Sequence, residues 1–404
     1  MLRLSHFYEI IGFDIDEERI SQLGGGFDRN LEFDSLALKK GNISFTSNHE
    51  DLADGDCYIV TVPTPIDSNQ NPNLHALYSA TSLVAKHLSK GNLVIYESTV
   101  YPGATNEECV PILEEESGLK LREDFEVGYS PERVSPGGNG MQIHEISKII
   151  SATSKAAIES LLDIYTKVTD EDIHVAPSIE VAEFAKVLEN TQRDLNIALI
   201  NEVSHICRRM GLKTHDVVDA ASTKWNFARY YPGLVGGHCI GVDPYYLLHK
   251  SQKVGYLAEV VTAGRRVNEK MTNLISRGII KQLAKQGKPL LGAKVGIFGM
   301  TFKENCPDAR NSKVFDFISQ FEEYGITTAS FDPYAAVIAE AENDVVISEK
   351  PQQAERFDAI IIAVGHDAYS EIGSDYFLNL LKSPEPSLVF DVKNIFPKAG
   401  FLCL

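Results

Sequence analysis

The sequence predicts an α/β protein, with two Rossmann-like, doubly wound domains joined by a central helical domain that contains a long helix. Three observations carry that expectation. Short apolar runs alternate with helical patterns at both ends of the chain, as in mostly parallel sheets covered by helices. The middle lacks this alternation: from Ser178 to about Met210 no strong breaker occurs, and Val181, Phe184, Ala185 and Leu188 recur at helical spacing. Breakers flank the middle at Pro177 and at Gly287-Lys288-Pro289, so the expected domains are 1–177, 178–287 and 288–404. A chain of 404 residues is long enough for two or three separate cores.

In order, Tyr8–Asp14 reads as a strand ending in an acid, Cys57–Pro63 as a second and Leu93–Thr99 as a third, with a helix over Leu74–Leu88. Ligands of such sheets gather at the carboxyl ends of the strands, where Thr64, Thr99 and the Ser130-Pro131-Glu132 turn fall. After the long helix, further helices are expected around a glycine-rich cysteine loop and from about Tyr256 to Lys285. Lys294–Met300 then reads as a strand and turn, Ser312–Tyr324 as a helix and Ala359–Val364 as a buried strand.

Composition narrows the function. A formal net charge of -18 leaves no general basic footprint for nucleic acid or an anionic membrane surface, though a local basic pocket for a phosphorylated ligand remains compatible. The six cysteines are scattered without a CxxC pair. Neither a disulfide framework nor a bound metal is therefore expected, and a reducing cytoplasm is the expected location. No apolar stretch reaches the length of a membrane span.

The run from Gly233 to Pro244 (GLVGGHCIGVDP) is the most informative segment. Glycines lack Cβ atoms, so a bound molecule can approach both backbone and thiol at Cys239. A thiol framed by glycine and polar groups suits a nucleophile, while a tight turn holding a small side chain is the alternative. Lys186 and Asn190 stand four residues apart on one helix face, where they either stabilise an oxyanion or face solvent. Asp14 ends its strand where a dinucleotide-binding fold puts the acid for the adenosine ribose; an N-cap for the helix expected from Asp16 to Leu23 is compatible with that role. Taken alone, Glu132 is an ordinary turn acid.

Several motifs occur together and in order: Val62-Pro63-Thr64-Pro65, Glu97-Ser98-Thr99-Val100, Ser130-Pro131-Glu132-Arg133, Glu183-Phe184-Ala185-Lys186 with Glu189-Asn190 and Asn201-Glu202, the cysteine loop, Gly264-Arg265-Arg266-Val267-Asn268 and Gly299–Asn305. Across nearly the whole chain this set resembles the UDP-sugar 6-dehydrogenases, and Val242 just before Asp243 resembles the branch acting on UDP-N-acetylhexosamines. The front end departs from the pattern. No GxGxxG precedes the strand at Tyr8, Gly24-Gly25-Gly26 follows a helix, and Met1 is expected inside the helix that follows the family's glycine turn, which would leave a sheet edge exposed.

The resemblance implies a four-electron oxidation of a C6 alcohol to a carboxylate with NAD, in service of surface polysaccharide precursors. Cys239 would form a thiohemiacetal and then a thioester. Lys186 and Asn190 would lie at the C6 oxygen, Asp243 would orient water or the lysine, and Thr99 with Glu132 would handle the hydrolytic water. Asp14, Arg19, Val62, Pro63, Thr64 and Thr99 match cofactor positions, as do Lys303 and Arg310. Glu132, Arg133, Lys186, Asn190, Arg229, Tyr231, Gly233, Gly236, Arg265, Phe302 and Lys303 match the nucleotide-sugar site. His238 is expected to shape backbone, since sequence neighbours rarely point together. The implied partner is the UDP-sugar, with association into a homodimer or larger homo-oligomer. A UDP-glucose 6-dehydrogenase, an inactive UDP-sugar-binding protein and a cysteine hydrolase are the rival readings.

Overall fold

The computed structural model describes every residue except 30–32, 135–140, 339–344 and 384. The chain forms two compact units, Met1–Glu189 with Tyr245–Tyr256, and Asn190–Pro244 with Leu257–Leu404.

In the first unit, strands β1 (Ile10–Phe13) and β2 (Ile43–Thr46) form a separate parallel pair. β3 (Cys57–Val60), β4 (Leu93–Tyr96), β5 (Glu126–Tyr129), β6 (Lys148–Ala152) and β7 (Ile173–Val175) form a five-stranded sheet in that order. β4 is buried along its whole length, so it reads as an unbroken apolar run rather than an alternation. β6 alone runs antiparallel to its neighbour β5, while β6 and β7 are parallel. The helix Lys155–Tyr165 starts at Ser154, whose hydroxyl accepts from the Ala157 amide. It packs Leu161 onto β5 at Gly128, where a Cβ would lie 2.8 Å from a leucine methyl. Leu4, Leu93, Ile95, Ile150, Leu161 and Tyr165 share this core.

The second unit carries a five-stranded parallel sheet ordered β10-β9-β8-β11-β12, from β8 (Lys294–Phe298), β9 (Thr327–Phe331), β10 (Ile347–Ser348), β11 (Ala359–Ile362) and β12 (Val389–Asp391). The chain leaves β8 to one side and returns to its other side at β11, which makes a topological switch point at their carboxyl ends. The long helix spans Ile179–Met210, as the missing breakers predict, and gives its opening turns to the first unit and the rest to the second. The helix Glu259–Glu269 lies so close to it that a Cβ on Gly264 would come 2.3 Å from a Leu195 methyl. The helices expected from about Tyr256 to Lys285 are Glu259–Glu269 and Met271–Lys285, which meet at Lys270. The helix expected over Ser312–Tyr324 opens as a tight turn at Lys313–Phe315, capped by Ser312, before Asp316–Glu322.

Gly299 closes β8 with φ +86°, and a Cβ there would lie 2.8 Å from the Val364 amide nitrogen and 3.0 Å from its carbonyl oxygen. Neither backbone atom can swing away as a side chain would. Gly299→Ala is expected to destabilise the chain by at least about 2 kcal/mol, combining left-handed strain with overpacking, as measured by the urea midpoint at unchanged m-value.

Candidate active site

In the first unit the turns after β3, β4 and β5 lie at the carboxyl end of the sheet, where the strand pattern puts Thr64, Thr99 and Glu132. The Ser98 hydroxyl donates to the Val62 carbonyl at 2.7 Å, and Thr64 Oγ1 donates to the Thr99 carbonyl at 2.6 Å. Tyr246 adds a bond from its hydroxyl to the Thr64 carbonyl at 2.8 Å. Val62, Pro63, Thr64 and Thr99 are thus gathered in one hydrogen-bonded pair of turns. The Glu132 carboxylate accepts from the Val134 amide at 2.7 and 2.8 Å, just before residues outside the described set. Burial pushes the Glu132 carboxyl above the usual carboxylate range, while the nearby Lys186 and Lys148 ammonium groups oppose that rise. Lys186 itself is buried. Sequence periodicity alone had left a solvated face open for it.

Three residues before Lys186, Glu183 is fully buried. It accepts from the amides of Gly103 (2.5 Å) and Thr105 (2.9 Å) and from the Thr105 hydroxyl at 2.6 Å. Glu183 therefore ties the segment that follows Thr99 to the helix that carries Lys186. Burial outweighs these donors and pushes its carboxyl up to about 7.

Asp14 is exposed at the end of β1 and accepts from the Asp16 amide at 2.9 Å. The helix cap is Asp16, which accepts from Arg19 N, so the capping role considered for Asp14 falls two residues later. That leaves the Asp14 carboxylate at the strand end, available to hydroxyls. Arg19 is turned to Asp28 at 2.8 Å. Arg133 is braced against Glu189 (2.8 Å) and the Ser147 carbonyl (2.6 Å).

In the second unit, Cys239 is exposed in its loop. The Val242 and Asp243 amides donate to its carbonyl at 3.1 and 2.9 Å, closing the turn. Asp243 then starts the helix Asp243–Lys253, with Pro244 in the first turn, where its missing N–H costs nothing. The buried Asp243 carboxylate accepts from the Asn190 amide at 2.6 Å, so two residues that are distant in sequence and chosen for one site are in direct contact. The loop entrance is held by Asn201, whose side chain accepts from the Gly233 amide at 2.9 Å and donates to its carbonyl at 3.0 Å. Nothing in the residue pattern had marked Asn201 for that task.

The loop glycines serve the protein's own packing. A Cβ on Gly236 would lie 2.7 Å from the Asn311 carbonyl oxygen, and one on Gly237 (φ +81°) would lie 2.7 Å from the Phe302 ring. Phe302 thus sits on the cysteine loop, and His238 Nδ1 meets the Asn311 side-chain amide at 3.3 Å. Desolvation and Arg310 hold His238 below its usual pKa, so a neutral ring can accept that bond. The ring is engaged in fixing the loop.

Arg229 and Arg265, matched to the nucleotide-sugar site, and Arg310, matched to the cofactor, each pair with a carboxylate of the chain. Arg265 is buried, paired with Asp194 at 2.6 Å and with Glu269. Arg310 forks onto Asp308 at 3.0 and 2.7 Å. Arg229 pairs with Asp219 at 2.5 Å, lies over the Tyr231 ring at 5.1 Å, and Tyr231 donates to the same Asp219. A lysine that the sequence reading passed over, Lys393 after β12, brings Nζ to within 3.1 Å of where a Gly233 Cβ would be. Lys303 follows Phe302, with Nζ 5.6 Å from that ring.

Profiles of one family match the chain in three parts. They are the NAD binding domain of the UDP-glucose/GDP-mannose dehydrogenase family over residues 2–169, its central domain over 180–270 and its UDP binding domain over 296–398. The chain is 46% identical over 388 residues to Protein CapL of Staphylococcus aureus, covering 96% of this chain and 91% of CapL. It is 46% identical over 386 residues to the UDP-N-acetyl-D-glucosamine 6-dehydrogenase of Pseudomonas aeruginosa, covering 95% and 91% of the two chains. The solved structure of the UDP-D-ManNAc dehydrogenase from Pyrococcus horikoshii matches with a TM-score of 0.87 at 28% identity, covering 100% of this chain and 94% of that one. Fold, exposed cysteine and acid-ended strand together define an NAD-dependent oxidoreductase with Rossmann-like sheets and a helical centre. The chain belongs to the UDP-glucose/GDP-mannose dehydrogenase family.

The cofactor of this family's first domain is NAD. The exposed Asp14 carboxylate at the end of β1 is compatible with ribose hydroxyls, and its charge would disfavour a 2'-phosphate. Among the described residues, no glycine-rich strand-to-helix turn offers a backbone cradle for the pyrophosphate.

Glu183 gives a pH test. Between its ordinary value of 4.5 and about 7, the folded chain holds a proton that the unfolded chain has released, so stability falls as pH rises through that window. The wild type is expected to lose stability relative to Glu183→Gln as pH increases from 4.5 to about 7, read from urea unfolding of both proteins across the range.

Proposed function

We propose that the chain oxidises the C6 alcohol of a UDP-N-acetylhexosamine to the uronic acid, using two NAD+ and a covalent cysteine intermediate, to supply a surface-polysaccharide precursor. One observation carries the reading: the buried Asp243 takes the Asn190 amide at 2.6 Å, four residues after an exposed Cys239. Bound NAD+ would accept the hydride at each oxidation, with Asp14 at its ribose and the Val62-Pro63-Thr64 and Thr99 turns along its other end.

In the first oxidation C6 loses a hydride and its hydroxyl loses a proton, to Lys186 or to a water oriented by Asp243, leaving an aldehyde. Lys186 and Asn190, one helical turn apart, hold the oxygen on which negative charge develops. The Cys239 thiolate forms a C–S bond to the aldehyde carbon while the oxygen takes a proton back from Lys186 or the water, giving a thiohemiacetal. Loss of the second hydride from carbon and of that hydroxyl proton gives a thioester. Water then adds, Glu132 takes one of its protons with Thr99 beside it, and the C–S bond breaks to return the thiolate and release the acid, which loses its remaining proton to solvent to become the carboxylate.

The acetamido branch is favoured by Val242 ahead of Asp243 and by the named relatives, at 46% identity to the UDP-N-acetyl-D-glucosamine enzyme. Phosphate charge would be met by lysines such as Lys393 and Lys303 at the carboxyl ends of the second sheet's strands. Copies of the chain would associate through the long helix, where Val181, Phe184, Leu188, Leu199 and Ile206 are exposed. No helix among the described residues is long and apolar enough to cross a membrane, and a cytoplasmic location suits the exposed thiol.

The decisive assay follows NADH formation with UDP-GlcNAc, UDP-GalNAc, UDP-ManNAc and UDP-glucose in turn. One acetamido sugar is expected to support turnover, and Cys239→Ala is expected to abolish it. Turnover with UDP-glucose alone, or undiminished in Cys239→Ala, would overturn the reading. In the same assay Lys393→Met is expected to raise the KM for the sugar about tenfold with little change in kcat, as loss of one phosphate contact predicts.

A further inference from the structure

We propose that Lys148 is a positioning residue for Glu132, a buried ammonium that holds the turn carrying Glu132 in place and supplies a fixed countercharge to its carboxylate. The inference rests on the reading of Glu132 as the group that accepts the proton of the hydrolytic water.

Lys148 is the first residue of β6 and is 3% exposed. Lysine is almost never buried this far without partners. Its Nζ lies 3.4 Å from the Pro131 carbonyl oxygen, 3.9 Å from Glu97 Oε2 and 5.1 Å from the centre of the Tyr165 ring. Tyr165 donates its hydroxyl to the other Glu97 oxygen at 2.5 Å. The Glu132 amide in turn donates to the Glu97 carbonyl at 3.3 Å. The ammonium thus touches the residue immediately before Glu132 and the residue that receives the Glu132 backbone.

The strand direction explains how it gets there. β6 pairs antiparallel with β5, with Gly128 opposite Ala152 and Tyr129 opposite Ser151. Continued past the end of β5, this register brings the start of β6 beside the Ser130-Pro131-Glu132 turn. A parallel strand would deliver its first residue to the opposite edge of the sheet. The antiparallel pairing of β6 with β5 therefore delivers a cation to the end of the sheet that carries Glu132.

Among the described residues, four elements bring charged or titratable groups toward Glu132. Glu97 follows β4, β6 brings Lys148, the long helix brings Lys186, and the helix Lys155–Tyr165 brings the Tyr165 hydroxyl onto Glu97. The Met1 amino group, lowered by burial, lies near Glu97, while Arg133 is turned to Glu189. Two lysines thus stand against two carboxylates. With Lys186 proposed to act at the C6 oxygen, Lys148 is the cation that stays in place throughout turnover.

The test uses the full chain with carbon-13-labelled glutamate, Glu132→Gln assigning the resonance. Lys148→Met is expected to raise the Glu132 titration midpoint by about one pH unit. The acid limb of kcat should move up by the same amount, costing about tenfold in kcat on that limb. KM values for sugar and NAD+ should hold, and Lys148→Arg should restore the wild-type profile. Lys148→Gln, which keeps a donor toward Pro131 but not the charge, should give the same midpoint shift if the methionine variant does not fold. An unmoved Glu132 midpoint in a folded, uncharged variant would overturn the proposal, as would a pH-independent loss of kcat. A shifted midpoint in a chain that turns over no sugar would leave the Lys148–Glu132 coupling standing and remove the catalytic reading of Glu132.

Discussion

The architecture of the cysteine loop depends on one buried carboxylate. Asp194, on the long helix, accepts from Arg265 at 2.6 Å and from the Asn268 amide at 2.7 Å, both on the helix Glu259–Glu269. Asn268 passes the constraint on by accepting from Asn201 at 2.8 Å, and Asn201 grips both backbone polar groups of Gly233. Burial pushes the Asp194 carboxyl up even though Arg265 and Asn268 favour its ionised form. A buried pair of this kind gains little net stability over apolar packing, but removing one partner costs about 3–5 kcal/mol. Its value is in specifying geometry: with helix separation set at Gly264 and rotation set by Arg265 and Asn268, the first residue of the loop has one position.

The same economy runs through the loop itself. Gly236 and Gly237 let backbone pack on backbone and on the Phe302 ring, so the segment carrying the thiol is held on two sides before any ligand arrives. A loop pinned at Gly233, at Gly236-Gly237 and at Asp243 loses little conformational freedom when substrate binds. That is the kind of preorganisation the proposed covalent intermediate would require, since on that proposal the thiol must meet a carbon produced only transiently.

The legible part of the sequence was the part where physics is local. Buried parallel strands such as Leu93–Tyr96 and Ala359–Ile362 announce themselves as apolar runs, and the long helix announces itself by the absence of breakers. The boundary at Lys270 was not legible, because neither proline nor glycine stands at that position. Buried charges were also hidden. Lys148 and Glu183 have the composition of surface residues, and only tertiary pairing with Glu97 and with the Gly103–Thr105 amides makes their burial affordable. The motifs nominated Lys186, Asn190, Cys239 and Asp243, and the Asn190–Asp243 bond joins two of them. Arginine type alone does not say what a fork holds: Arg133, Arg265 and Arg310 each turn theirs to a carboxylate of the chain itself.

That last fact bears on how an acidic chain binds an anionic nucleotide sugar. With a net charge of -18 the overall field repels a diphosphate, so long-range steering cannot supply the affinity. A guanidinium that already holds a buried carboxylate cannot be counted a second time as a phosphate ligand without leaving that carboxylate unpaired, at a cost of several kcal/mol. Attraction must then come from short-range donors. Ammonium groups on flexible stems re-aim more readily than the locked forks do, and β12 is followed by Lys393, proposed above to meet the phosphate charge. On that proposal the two cation types divide the labour: Arg265 and Arg310 hold carboxylates of the chain itself, and a lysine near a strand end answers the charge of the ligand.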